Sequence, residues 1–72
     1  MKGGHEMKAE KLSDLRIRNN LTQRDLAKQL NIGNSTIAMY ETGERTPSLK
    51  RAIKIAKFFN TTVEEIIFAN DK

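Results

Sequence analysis

The chain has 72 residues, room for one small domain that buries only about 60% of its unfolded surface and holds a stability on the order of 5 kcal/mol. It contains no cysteine, which excludes disulfides and cysteine-based metal sites, and no apolar run nears the roughly 20 residues of a membrane-spanning helix. The net charge of +4 is unevenly placed: residues 16–57 hold nine Lys/Arg against three acids, while residues 58–72 hold Lys72 against Glu64, Glu65 and Asp71, so one face suits a polyanion and another turns away from it.

Residues 1–7, with Gly3-Gly4 and His5, read as a flexible arm, for which a minor-groove role is the weaker alternative. His5 is the one histidine of the chain and so has no partner for metal or catalytic chemistry. Lys8 to Asn19 is predicted to be a first helix, with Leu12 and Leu15 inward and Ile17 at the edge of the apolar face. Asn20 ends it, and Leu21 packs as the chain turns.

A second helix starts at Thr22. Its hydroxyl can accept from an early backbone N–H while Asp25, three residues on, reaches back, a capping-box pattern. Leu26, Ala27 and Leu30 fall on one face, and the small Ala27 admits a close neighbour. Asn31 stops the helix, since asparagine tolerates the left-handed conformation found at helix ends, and Ile32 plugs the corner. A third helix follows over about Asn34 to Thr42, with Ile37 and Tyr40 inward. Its other face carries Asn34, Ser35, Ala38 and Met39, short or amide-bearing side chains that can lie flush against base edges. Asparagine can pair with adenine through two bonds, and an alanine methyl can touch that of thymine. Asn34 and Ser35 fit a helix cap equally well.

Thr42 to Pro47 is predicted to be a loop, with Gly43 in the positive φ that ends a helix and Arg45 free to approach phosphate. A fourth helix over Ser48 to Phe59 places Leu49, Ala52, Ile53, Ala56 and Phe59 on one face. Lys50, Lys54 and Lys57 form a stripe that is either a second phosphate contact or a solvated face. After Asn60-Thr61, a second capping pattern at Thr62 and Glu65 predicts one or two final helical turns through Phe68, in which Val63 and Ile66 complete the core.

Together Gln23, Leu26-Ala27, Ile32, Ser35-Thr36-Ile37, Tyr40-Glu41, Gly43 and Pro47 keep, without a gap, the spacing of another group of proteins. Over residues 9 to 67 the chain resembles the lambda-repressor-like, or Cro/Xre-type, helix-turn-helix family. The resemblance implies an all-α, five-helix DNA-binding domain over residues 8–69, between the arm at 1–7 and a tail at 70–72. It places Asn34, Ser35, Thr36, Ala38 and Met39 where the family meets bases or nearby backbone, and Thr22, Gln23, Thr42 and Arg45 where it meets phosphate. It pairs Glu41 with Arg16 and gives Ile67 and Phe68, on the last helix, to a dimer interface. Departures are asparagine at 20 and 31, where glycine is usual, threonine at 42 for asparagine, and apolar Ala38 and Met39 where many relatives have polar readers.

The expected function is therefore that of a sequence-specific DNA-binding transcriptional regulator, a repressor that binds a palindromic operator in double-stranded DNA as a homodimer. An antitoxin or other protein-binding module on the same fold is the alternative. With no phosphate-cradling glycine loop and no clustered carboxylates, an enzyme is not expected. Nor is a cofactor, a metal, a small-molecule ligand or a membrane partner, and residues 1–10 carry no secretory-signal pattern, so a cytoplasmic, nucleoid-associated protein is expected.

Overall fold

In a computed structural model, which describes residues 9–68, the chain runs β1 (Glu10–Lys11), α1 (Leu12–Arg18), α2 (Gln23–Leu30), α3 (Asn34–Thr42), α4 (Leu49–Phe58), a 3-10 turn over Val63–Glu65 and β2 (Ile66–Ile67). Residues 1–7, expected to be an arm, and the tail at 70–72 lie outside the described residues.

Chain reversals after three helices share one device. Asn20, Asn31 and Asn60 each take a left-handed conformation, with φ of 60°, 58° and 58°. The amide of the next residue then reaches back five positions, Leu21 to the Arg16 carbonyl, Ile32 to Ala27 and Thr61 to Ala56. This closes carbonyls that the helix end leaves unpaired, and asparagine takes the left-handed backbone more readily than most side chains. Gly43 ends α3 with φ 86°, a value that would strain most side chains. At the other ends, Thr22 and Asp25 form a reciprocal capping box on α2, and the Ser48 hydroxyl accepts from the Arg51 amide on α4. The chain is thus cut into short rods by local chemistry before any packing is considered.

The rods bury one core. Leu12 and Leu15 of α1, Leu26 and Leu30 of α2, Ile37 and Tyr40 of α3, Ile55 and Ala56 of α4, and Ile66 of β2 meet there, with Leu21, Phe59, Val63 and Phe68 packed at its margin. Each large aliphatic side chain taken from water stabilises the fold by about 1.5–3 kcal/mol.

Three expectations change. The described residues form four α-helices, not five: Thr62 and Glu65 form no helix cap, the Thr61 and Thr62 hydroxyls instead donate to the Glu65 carboxylate, and Ile66–Ile67 runs extended beside Glu10–Lys11 as a parallel two-stranded ribbon. The start of the first helix is likewise later than Lys8, because Glu10 and Lys11 are the other strand of that ribbon. On α4 the inward face is rotated: Ile55 is fully buried, while Leu49 and Ile53 are 70% and 40% exposed. Among the described residues no helix is long and apolar enough to cross a membrane.

Candidate nucleic-acid interface

Helix α3 is held from inside and left bare outside. Ile37 and Tyr40, one helical step apart, are buried. The Tyr40 hydroxyl accepts a hydrogen bond from Arg51 Nη1 at 3.1 Å, which ties α3 to α4. That bond is not legible in the sequence, although an inward tyrosine needs some partner for its hydroxyl. Asn34 and Ser35 are exposed, and Thr36, Ala38 and Met39 are half-buried. The helix is preceded by Gly33, which supplies no side-chain cap, so Asn34 and Ser35 are its first two residues and neither serves as the cap.

The far end of α3 is fixed by a charged knot. Glu41 accepts from Arg16 Nε at 2.6 Å and Nη2 at 3.2 Å, and from the Gln23 amide at 3.0 Å. Arg16 Nη1 donates to the Leu21 carbonyl at 2.8 Å. Both charged side chains are largely buried, at 13% and 7% exposure, so the pair is shielded from competing water. One carboxylate thereby joins the end of α1, the start of α2 and the last turn of α3. The two-helix unit cannot open at Glu41 without stranding Arg16.

The residues expected at phosphate are not equally free. Thr22 is exposed, and its oxygen accepts from the Asp25 amide. Its backbone and side-chain hydrogen bonds hold the Asp25 carboxyl below its usual value, with Lys28 and Arg24 adding smaller attractions. Gln23 uses one amide N–H on Glu41 and keeps its other donor. Thr42 is exposed, but its hydroxyl donates to the Met39 carbonyl at 3.2 Å at the helix end and accepts from the Glu44 amide. Arg45 is exposed just past α3, and its backbone amide closes onto the Met39 carbonyl. Ile67 is 38% exposed at the ribbon, whereas Phe68 is half-buried against the core.

Comparison with known proteins matches a Helix-turn-helix family model to residues 12–66, from the first residue of α1 into β2. The chain belongs to the helix-turn-helix family. This helix-turn-helix protein is 49% identical, over 85% of its length and 92% of the relative's, to the uncharacterized HTH-type transcriptional regulator MJ0272 of Methanocaldococcus jannaschii. It is 33% identical to the cryptic phage CTXphi transcriptional repressor RstR of Vibrio cholerae, across 85% of this chain and 55% of that one. It is 40% identical to the HTH-type transcriptional activator BcrR of Enterococcus faecalis, across 81% of this chain but only 28% of the relative. In family terms α2 and α3 are the motif, and the Gln23–Glu41 bond joins the start of α2 to the last turn of α3.

Proposed function

We propose that this DNA-binding transcription regulator acts as a repressor, setting α3 in the major groove of a palindromic operator and binding as a homodimer. Asn34, Ser35, Thr36, Ala38 and Met39 meet base edges or the adjoining backbone, and Thr22, Gln23, Thr42 and Arg45 hold phosphates. The observation that carries this reading is α3 itself: its inner side is locked by Ile37, Tyr40 and the Glu41 knot, while its outer side offers uncharged side chains, most of them short. A rigid helix with low outward relief can approach base edges, and each well-made bidentate base contact discriminates by about 1–3 kcal/mol. Phosphate contacts add affinity without sequence information. In a dimer two such helices reach successive grooves about 34 Å apart, and occupancy of a promoter then excludes polymerase.

The test is selection of binding sites by the purified full chain from a random duplex library in near-physiological salt. A palindrome with half-sites one helical turn apart is expected. A lone half-site would remove the symmetric dimer, and no enrichment by folded protein would overturn base readout altogether.

A further inference from the structure

The arginines of the described chain divide into two groups. Arg16 is bound to Glu41, Arg18 to Glu10 at 2.9 Å, and Arg51 to the Tyr40 hydroxyl. Arg24 and Arg45 make no such side-chain bond among the described residues, and they lie at opposite ends of the helix-turn-helix. Lys28 stands one turn after Arg24 on α2, where residues four apart are neighbours, about 5–6 Å between Cβ atoms.

Between this pair and the start of α3 lies a groove of about 490 Å³. Arg24 and Lys28 line it from α2, Asn31 from the connection and Asn34 from the first turn of α3, over a floor that includes the buried Ala27 and Ile32. Among the described residues no carboxylate lines it. The nearest acid in sequence, Asp25, is engaged by the Thr22 amide. Two cations and two amide side chains thus converge beside the very turn from which Asn34 projects, continuous with the α3 surface.

We propose that Arg24 and Lys28 clamp the phosphate backbone of the same DNA whose bases meet the start of α3. The inference rests on the DNA reading above and extends it to two residues outside the expected contact set. Charge complementarity selects the occupant, because a groove walled by two cations that form no salt bridge among the described residues fits a chain of phosphates. Its position fixes the register of α3. A grip beside Asn34 holds the N-terminal turn, as Arg45 stands ready to hold the other end.

The experiment measures affinity for a mixed-sequence 30-base-pair duplex, as probe, over a range of salt concentrations. The wild-type chain is compared with the double variant Arg24→Gln/Lys28→Gln, a charge-keeping Arg24→Lys/Lys28→Arg, and a control Lys54→Gln/Lys57→Gln on α4. Each phosphate contact contributes about 0.9 to the slope of log affinity against log salt. The Gln double variant is expected to lose about 2 from that slope, so that its loss of affinity between 50 and 200 mM salt is about tenfold smaller than that of wild type. The charge-keeping variant is expected to retain the slope, and the α4 control to retain most of it. A wild-type chain with no salt-dependent binding would sink the DNA reading itself. Salt-dependent wild-type binding with an unchanged slope in the Gln variant would sink the clamp alone, as would an equal loss in the α4 control. All the substituted side chains are exposed, and a thermal melt of each variant establishes that it is folded. If the Gln variant were unfolded, the single Lys28→Gln change, expected to lower the slope by about 1, carries the same test.

Discussion

Gln23 stands between structure and recognition. One amide hydrogen is given to Glu41, which already holds Arg16 through two bonds, so the Gln23 side chain is fixed before DNA arrives. A prepositioned donor loses less freedom when it binds, which favours the proposed contact of Gln23 with a phosphate. Gln23→Ala is expected to weaken binding five- to tenfold, about 1–1.5 kcal/mol, to the same extent for every duplex sequence. Titrations against several unrelated duplexes check this, and a loss confined to some of them would make Gln23 a base reader. Gln23→Glu should do worse, because it sets a carboxylate against Glu41, only 3.0 Å from the present donor, and the fold itself should suffer. Asp25 supplies the corresponding test in acid. Its carboxyl is depressed by the Thr22 hydrogen bonds, so the stabilisation from the capping box is present above the ordinary value of 3.8 and is lost as pH falls through the lower folded value. Acid unfolding curves of wild type and Asp25→Asn should therefore stay apart above pH 3.8 and converge only as the pH falls through the lower folded value, and a constant separation down to the most acid point would remove the carboxylate from that role.

At the level of elements, α4 shows what periodicity can and cannot decide. Leu49, Ala52, Ile53 and Ala56 satisfy helical spacing, and so do Ala52, Ile55, Ala56 and Phe59. The two alanines belong to both stripes, so the sequence pattern leaves a rotation of the helix undetermined. The neighbours decide it: the Arg51 bond to Tyr40 and the core formed with α1, α2 and α3 turn Ile55 inward. Ile55→Ala is accordingly expected to cost about 3–4 kcal/mol in denaturant unfolding, and Ile53→Ala less than about 1 kcal/mol. Equal costs would mean that the α4 rotation described above is wrong. The final segment escaped sequence reading for a different reason. Val63 to Phe68 is too short to sustain a helix by itself, and its extended end is set by Glu10 and Lys11, more than 50 positions earlier. By contrast α2 and the ends of α1 and α3 were legible because their signals are local: the Thr22–Asp25 box, the asparagines at 20 and 31, and Gly43. Of the candidate interface, the exposure of Asn34 and Ser35 on α3 could be read from spacing. The Arg24–Lys28 groove could not, since it depends on where α2 and the start of α3 lie in space.

For the whole molecule, the open question of mechanism is how one small domain achieves useful occupancy of DNA. A single recognition helix reads few bases, and two copies on a palindrome read twice as many. The surface expected to join them was a fifth helix carrying Ile67 and Phe68, but Phe68 packs on the core and only Ile67 remains substantially open, on a two-residue strand. Stable dimers of ordinary size bury about 800 Å² on each partner, far more than one side chain supplies. A dimer built at Ile67 is therefore expected to be weak in free solution and to form fully only on DNA, where two half-sites raise the local concentration. Occupancy would then rise steeply with protein concentration, and abundance alone could switch the operator. Sedimentation across a wide concentration range should show mostly monomer for the free chain and two chains per palindromic duplex. Ile67→Lys should keep half-site affinity while abolishing that second binding step. If Ile67→Lys binds cooperatively like wild type and Leu49→Lys does not, the copies meet instead along the exposed flank of α4, where Leu49 and Ile53 stand open.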